Sequence, residues 1–222
     1  MADMVKLRVL LIAPEHSDFA PLAWVKELAG LTALGVELVF VGADQATLNQ
    51  IGARLHEPYD MLIWAGHGAD DQLLTTDGLV DGNWLAAQLR TVHPRVVLIM
   101  ACMSADLDDN LDSITRAISD AGIDCIGVRA QIEDHVARVF AREFVRATMA
   151  NSNASQATRI ALSMARPYGA VKGIDLVPGA SNGYLLSDRL ATLERTVARM
   201  DGQIASNSMK LDLVLMILQK QV

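Results

Sequence analysis

Short apolar runs alternate along this chain with stretches whose apolar residues recur every three or four positions, and that alternation organises the whole sequence. The first run, 7–13, is rich in Leu, Val and Ile and closes at Pro14, as a strand does at a residue that cannot extend a ladder. Leu22, Val25, Leu28, Leu31 and Leu34 then share one helical face, and Gly35 suits the position after its end. A second strand is predicted over 36–41, then a helix capped by Asp44 that runs to about Leu55. A third strand over 61–65 leads directly into Gly66-His67-Gly68. The pairs Asp77-Gly78 and Asp81-Gly82 predict a small hairpin and a turn before a helix around 84–89.

The run 96–101 is apolar at every position, the composition of a strand covered on both faces, and it delivers Cys102 at its end. A helix over 111–121 stopped by Gly122, a strand over 125–128, a helix capped by Asp134 and running through Ala150, and another capped by Asn153 and running through Ala165 complete the pattern. After a Pro-, Gly- and Ser-rich stretch holding one more strand over 173–177, the chain from 187 onward reads as helix. There Leu190, Leu193, Val197, Met200 and Ile204 space like a coiled-coil seam, and Leu211, Val214, Leu215 and Leu218 form a second stripe. Strands alternating with helices define an α/β fold, a doubly wound and mainly parallel sheet with helices on both faces. The expected organisation is one domain over 1–186 and a helical tail over 187–222.

Composition narrows the function. With 51% apolar and 20% charged residues, the chain can bury a large core and has no character of disorder. A net charge of −7 with scattered Lys and Arg leaves no basic face, so no nucleic-acid partner is expected. The apolar runs are too short to span a bilayer, and residues 1–6 show no apolar segment behind a basic cluster, so neither a membrane nor a secretory signal is expected. Two cysteines without metal-type spacing predict neither a disulfide framework nor a zinc site, and no cofactor is implied. A reduced, cytoplasmic protein is the expectation.

In such a sheet, chemistry gathers beyond the carboxyl ends of the strands. His67 and Cys102 each follow a strand that reads as central. Neighbouring strands lie about 4.8 Å apart, so residues leaving adjacent strands at one edge come within reach of each other. A free thiol, with a pKa of about 8.5, is mostly protonated at neutral pH, and an imidazole beside it raises the reactive fraction. Gly66 and Gly68 permit a sharp turn around His67, and the amides of Gly68 and Cys102 can form an oxyanion hole. Cys125, inside an apolar strand, reads as core, and His16, His56, His93 and His135 read as solvated. Asp106, Asp108, Asn110 and Asp112 alternate like a calcium loop, but Leu111 stands where the loop's glycine belongs and Ala117 where its last glutamate does, so that motif is rejected.

Ala65-Gly66-His67-Gly68, Asp77-Gly78-Leu79 and Val96-Val97-Leu98-Ile99-Met100-Ala101-Cys102-Met103-Ser104 occur in that order. Ala121-Gly122-Ile123-Asp124-Cys125-Ile126-Gly127-Val128-Arg129, then Ile132-Glu133-Asp134 with Ala137, Phe140 and Phe144, continue the series. Together they resemble the CHAT peptidases, relatives of caspases and separases, over roughly 9–165. The resemblance implies a caspase-like fold and peptide-bond hydrolysis by a His–Cys dyad, roles that fall on His67 and Cys102. It also implies a protein or peptide substrate, service in prokaryotic defence or regulated cell death, and a sensor or activator protein as partner. The chain departs from the family at Met103-Ser104-Ala105, at Val145, and in showing no sensor region. Relatives that cut after Arg or Lys often carry an acid two residues before the nucleophile, where this chain has Met100. For the substrate pocket, Glu15 and Asp18 would favour a basic side chain and Arg129 an acidic one. The tail is expected to mediate self-association or sensor binding. The alternative is a catalytically silent CHAT-like docking or signalling module. An amidotransferase-like hydrolase is disfavoured, because Ala101-Cys102-Met103 lacks the glycines of its nucleophile elbow and the His precedes the Cys.

Overall fold

The computed structural model describes residues 6–16, 22, 28–69, 72–101, 114–128, 132–150, 152–171 and 173–179. The tail over 187–222, with both of its apolar stripes, lies outside them. Six strands form the main sheet: β1 (Arg8–Pro14), β2 (Glu37–Ala43), β3 (Met61–Ala65), β7 (Val96–Met100), β8 (Asp124–Val128) and β9 (Ile174–Val177), in the order β2-β1-β3-β7-β8-β9. All neighbours pair in parallel except β9, which runs antiparallel to β8 at the edge. A second sheet of three short antiparallel strands, β4 (Gly68–Ala69), β5 (Gln72–Leu74) and β6 (Leu79–Asp81), stands between β3 and β7 in sequence.

The unbroken apolar strands follow from burial on both faces. Alternate residues go to opposite sides. Val9, Leu11, Ile63, Leu98 and Ile126 join one buried cluster, with Phe140 and Phe144 of α4 (Asp134–Met149) and Ala157 and Ala161 of α5 (Ala154–Ala165). Leu10, Ile12, Leu62, Trp64, Val97, Ile99 and Cys125 join the other. Its helices are α1 (Leu48–Leu55), α2 (Gly82–Leu89) and α3 (Ile114–Asp120), and it also takes in Leu73 and Val80 of the small sheet.

Local chemistry sets the element ends. Gly35 is left-handed with φ 86° and donates its N–H to the Thr32 carbonyl at 3.0 Å, closing the segment ahead of β2 as expected. That segment tightens to a 3-10 helix over Ala29–Leu34. Asp44 does not cap α1. Thr47 does, its hydroxyl accepting from the Gln50 amide at 3.4 Å, because Asp44 sits in a turn ahead of it. Asp134 does not cap α4: Glu133, with extended backbone, holds the cap position, and Asp134 is already the helix's first residue. Asn153 caps α5 as expected, accepting from Gln156 at 2.8 Å. Both Asp-Gly pairs act as anticipated. Asp77 and Gly78 turn β5 into β6, and Asp81 caps α2 by accepting from the Trp84 amide at 2.7 Å.

Asp77 does more than turn the chain. One of its carboxylate oxygens accepts the Leu48 amide at 2.8 Å and the Thr75 hydroxyl at 3.1 Å, so the hairpin tip is fastened to the N-terminus of α1. A carboxylate there also meets the positive end of the helix dipole. Thr76 reinforces the junction, its hydroxyl donating to the Ala43 carbonyl at 2.6 Å and its amide to the Ala46 carbonyl at 3.1 Å. Asp77→Ala should lower stability by about 1 kcal/mol, read as a lower urea midpoint at unchanged m-value. Hydrogen exchange should rise first in residues 72–81. An unaltered midpoint would show that the junction contributes nothing.

Candidate active site

The parallel ladder brings the carboxyl ends of β1, β3, β7 and β8 to one edge of the sheet. Ile12 pairs with Trp64, and Ala65 pairs with Met100. The β3–β7 ladder runs one step further, the Gly66 amide donating to the Met100 carbonyl at 3.4 Å. His67 is two residues past Ala65, and Cys102 is two residues past Met100. Glu15 directly follows Pro14 and is exposed. Cys102, Asp18 and Arg129 lie outside the described residues, as do Asp106, Asp108, Asn110 and Asp112. Ala101, the residue before Cys102, is buried in the cluster that holds Trp64. Met100 is buried on the opposite face.

His67 is half-buried, and its carbonyl accepts the Leu74 amide at 3.1 Å. That bond makes His67 and Leu74 a hydrogen-bonded antiparallel pair, so the next pair, Gly68 and Leu73, is of the non-hydrogen-bonded kind. Leu73 fits this alternation from its other side. The Thr75 amide donates to the Gly78 carbonyl at 2.9 Å, which makes Leu73 and Val80 a bonded pair of β5 and β6. The amide and carbonyl of Gly68 therefore point away from β5. β4 stands at the end of its sheet, so no strand of that sheet takes them up.

Beneath the Gly66-His67 turn lies a feature the sequence reading did not single out. Trp64, two residues before Gly66 and on the same side of β3, is fully buried at 0% exposure. A Cβ added at Gly66 would meet the Trp64 indole Nε1 at 3.2 Å and the Pro14 Cδ at 3.5 Å. The period-2 spacing of Trp64 and Gly66 was the available signal, and only the fold shows that both meet Pro14.

The second cysteine is chemically quiet. Cys125 is fully buried in β8, as expected, and burial, with the Asp124 charge behind it, pushes its thiol well up. Burial also raises the Asp124 carboxyl above its ordinary value, while the Gly179 amide, donating to it at 3.0 Å, pulls partly the other way. Of the histidines read as solvated, His56 meets the Thr91 hydroxyl at 3.2 Å, and His135 lies 3.5 Å from the Glu133 carboxylate and also meets the Tyr168 carbonyl. Both belong to the surface packing of helices.

A mainly parallel sheet, helices on both faces and paired central strand ends above it define a caspase-like α/β fold. The CHAT domain family matches residues 12–169, and the chain belongs to that family. Among solved structures it is similar to the crystal structure of the Arg-specific cysteine proteinase gingipain R (RgpB), with a TM-score of 0.58 and 13% identity over 75% of this chain and 43% of that one. A complex of the Porphyromonas gingivalis RgpB pro- and mature domains gives a TM-score of 0.48 and 13% identity, over 64% of this chain and 37% of that one. The chain thus spans less than half the length of these structures, and at 13% identity the likeness to gingipain R is one of fold. No curated protein matches the sequence. No helix among the described residues is long and apolar enough to cross a membrane.

The burial of Cys125 and of Asp124 can each be tested. Iodoacetamide applied to the folded protein should modify Cys102 and spare Cys125, by intact mass and peptide mapping; native labelling of Cys125 would contradict its burial. For Asp124, the folded-state pKa lies above the unfolded one. Its contribution to stability is therefore complete below the unfolded value of about 4 and is lost as pH rises through the folded value. Asp124→Asn keeps an acceptor for Gly179 and removes the charge. It should melt higher than the parent at neutral pH, with the gap closing below about pH 4.

Proposed function

We propose that this chain is a cysteine endopeptidase in which His67 and Cys102 form the catalytic pair. One observation carries the reading: Ala65 and Met100 are register partners on adjacent central strands, and the two reactive residues stand at the same offset beyond them. His67 takes the proton from the Cys102 thiol, and the sulfur attacks the scissile carbonyl carbon. The oxygen of the tetrahedral intermediate collects negative charge, which the amides of Gly68 and Cys102 stabilise. The outward direction of the Gly68 amide supports that role. The intermediate collapses to a thioester as His67 passes its proton to the leaving amine. Water activated by His67 then releases the acid and restores the thiol. Family membership supports peptide-bond chemistry, and the family resemblance alone supports a role in prokaryotic defence or regulated cell death.

The substrate is proposed to be a protein. Its selectivity depends on which charge lines the pocket, Glu15 or Asp18 on the loop after β1 or Arg129 after β8. Digestion of a peptide library separates the cases. Cleavage after Arg or Lys supports the acidic residues, cleavage after Asp or Glu supports Arg129, and cleavage after small apolar residues discards all three assignments.

Residues that act as one unit lose activity non-additively. Cys102→Ala, His67→Ala and the double variant should each retain less than about one thousandth of the parent's turnover, a loss of roughly 4 kcal/mol in transition-state stabilisation. Melting temperatures should stay close to the parent's. The readouts are cleavage of the peptides found in the library digest and labelling by a peptidyl electrophile. Parent-like cleavage by Cys102→Ala refutes the mechanism. A parent protein that neither cleaves nor labels is the silent docking module instead.

A further inference from the structure

We infer that Trp64 is a positioning residue for His67, acting through Gly66; the inference rests on the His67–Cys102 pairing proposed above. Three observations meet at this point. Trp64 is a fully buried side chain of the central strand β3, two residues before Gly66 on the same side. The Gly66 Cα lies so close over the indole that a methyl group there would come within 3.2 Å of Nε1, tighter than ordinary packing allows, with Pro14 closing the other side at 3.5 Å. The Gly66 amide also donates to the Met100 carbonyl, the last β3–β7 bond among the described residues.

The peptide that carries His67 is therefore bounded by the indole edge and by the proline ring, and is bonded to β7. No part of this slot can yield easily. The indole is packed among the apolar side chains of its face, Pro14 belongs to β1, and Met100 belongs to β7. The indole N–H adds a second sign. It is buried and has no acceptor among the described residues, a costly arrangement in a core position that a phenyl ring would fill without it. What the larger ring does supply is an atom that limits how closely the Gly66 backbone can approach, 3.2 Å from where a methyl on it would sit. A nucleophile–base pair is sensitive to that limit, because displacement by about 1 Å can cost on the order of a hundredfold in rate.

The test is a compensating pair read on the pH profile of Cys102 alkylation by iodoacetamide and on turnover of a library-selected peptide. Gly66→Ala should raise the midpoint of alkylation toward the ordinary thiol value of about 8.5 and lower turnover by about ten- to a hundredfold. Adding Trp64→Phe, which removes the atom the new methyl would strike, should return both toward the parent. Trp64→Phe alone should lower kcat a few-fold at unchanged KM, and it keeps the inference testable if Gly66→Ala fails to fold. A role confined to packing would move melting temperatures but leave the alkylation midpoint and kcat in place, and that result overturns the inference. His67→Ala run in parallel separates two failures. A midpoint moved by His67→Ala but not by Gly66→Ala overturns the positioning role alone, whereas a midpoint that neither variant moves overturns the catalytic pairing with it.

Discussion

The parallel pairing of β3 with β7 is the constraint on which the rest of this molecule turns. Hydrogen bonds run from Met61 opposite Val96 to Ala65 opposite Met100, with Gly66 adding one more to Met100. A slip of one residue would exchange the faces of every side chain on a strand. Ile63 and Leu98 would leave the cluster of α4 and α5, and Leu62, Trp64 and Val97 would leave the cluster of α1, α2 and α3. With both faces buried, such a slip has no acceptable outcome, so the register is held by the whole core. That same register sets His67 and Cys102 at equal distance along the chain from a bonded pair.

The small antiparallel sheet depends on this arrangement and extends it. Its first strand begins at Gly68, directly after His67, so the ladder between β4 and β5 decides which way the Gly68 amide points. The hairpin behind it is anchored at three places: Leu73 and Val80 in the core, Asp77 at the N-terminus of α1, and Asp81 as the cap of α2. An acceptor at a helix end usually serves that helix alone. Here Asp77 joins the β5–β6 hairpin to a helix on the sheet's face, which connects the candidate oxyanion donor to the rigid part of the fold.

Cys125 and its neighbour Asp124 show how burial sets the chemistry of an ionisable group. Cys125 lies within β8, deep in the sheet, where loss of water disfavours the thiolate. That position inside the sheet takes Cys125 out of consideration as a nucleophile.

Much of this was legible in the residues themselves. Unbroken apolar runs announced strands buried on both faces, and β3, β7 and β8 fall within a residue of where composition put them. Gly35, Asp81 and Asn153 act at the element ends where their backbone freedom or side-chain oxygens suited them. These are local properties, decided by a few neighbouring residues, and so a sequence carries them openly. Which strand lies beside which is not local. That β3 pairs with β7, that Trp64 sits under Gly66 beside Pro14, and that Asp77 reaches the amide of Leu48 each join residues far apart in the chain. The misplaced cap of α1 has the same origin: Asp44 and Thr47 both have a capping oxygen, and the turn leaving β2 selected Thr47. The sequence by itself determined the elements and nominated the reactive residues. Only the tertiary structure decided which strands lie side by side, because contacts between distant segments depend on the core that all of them build together.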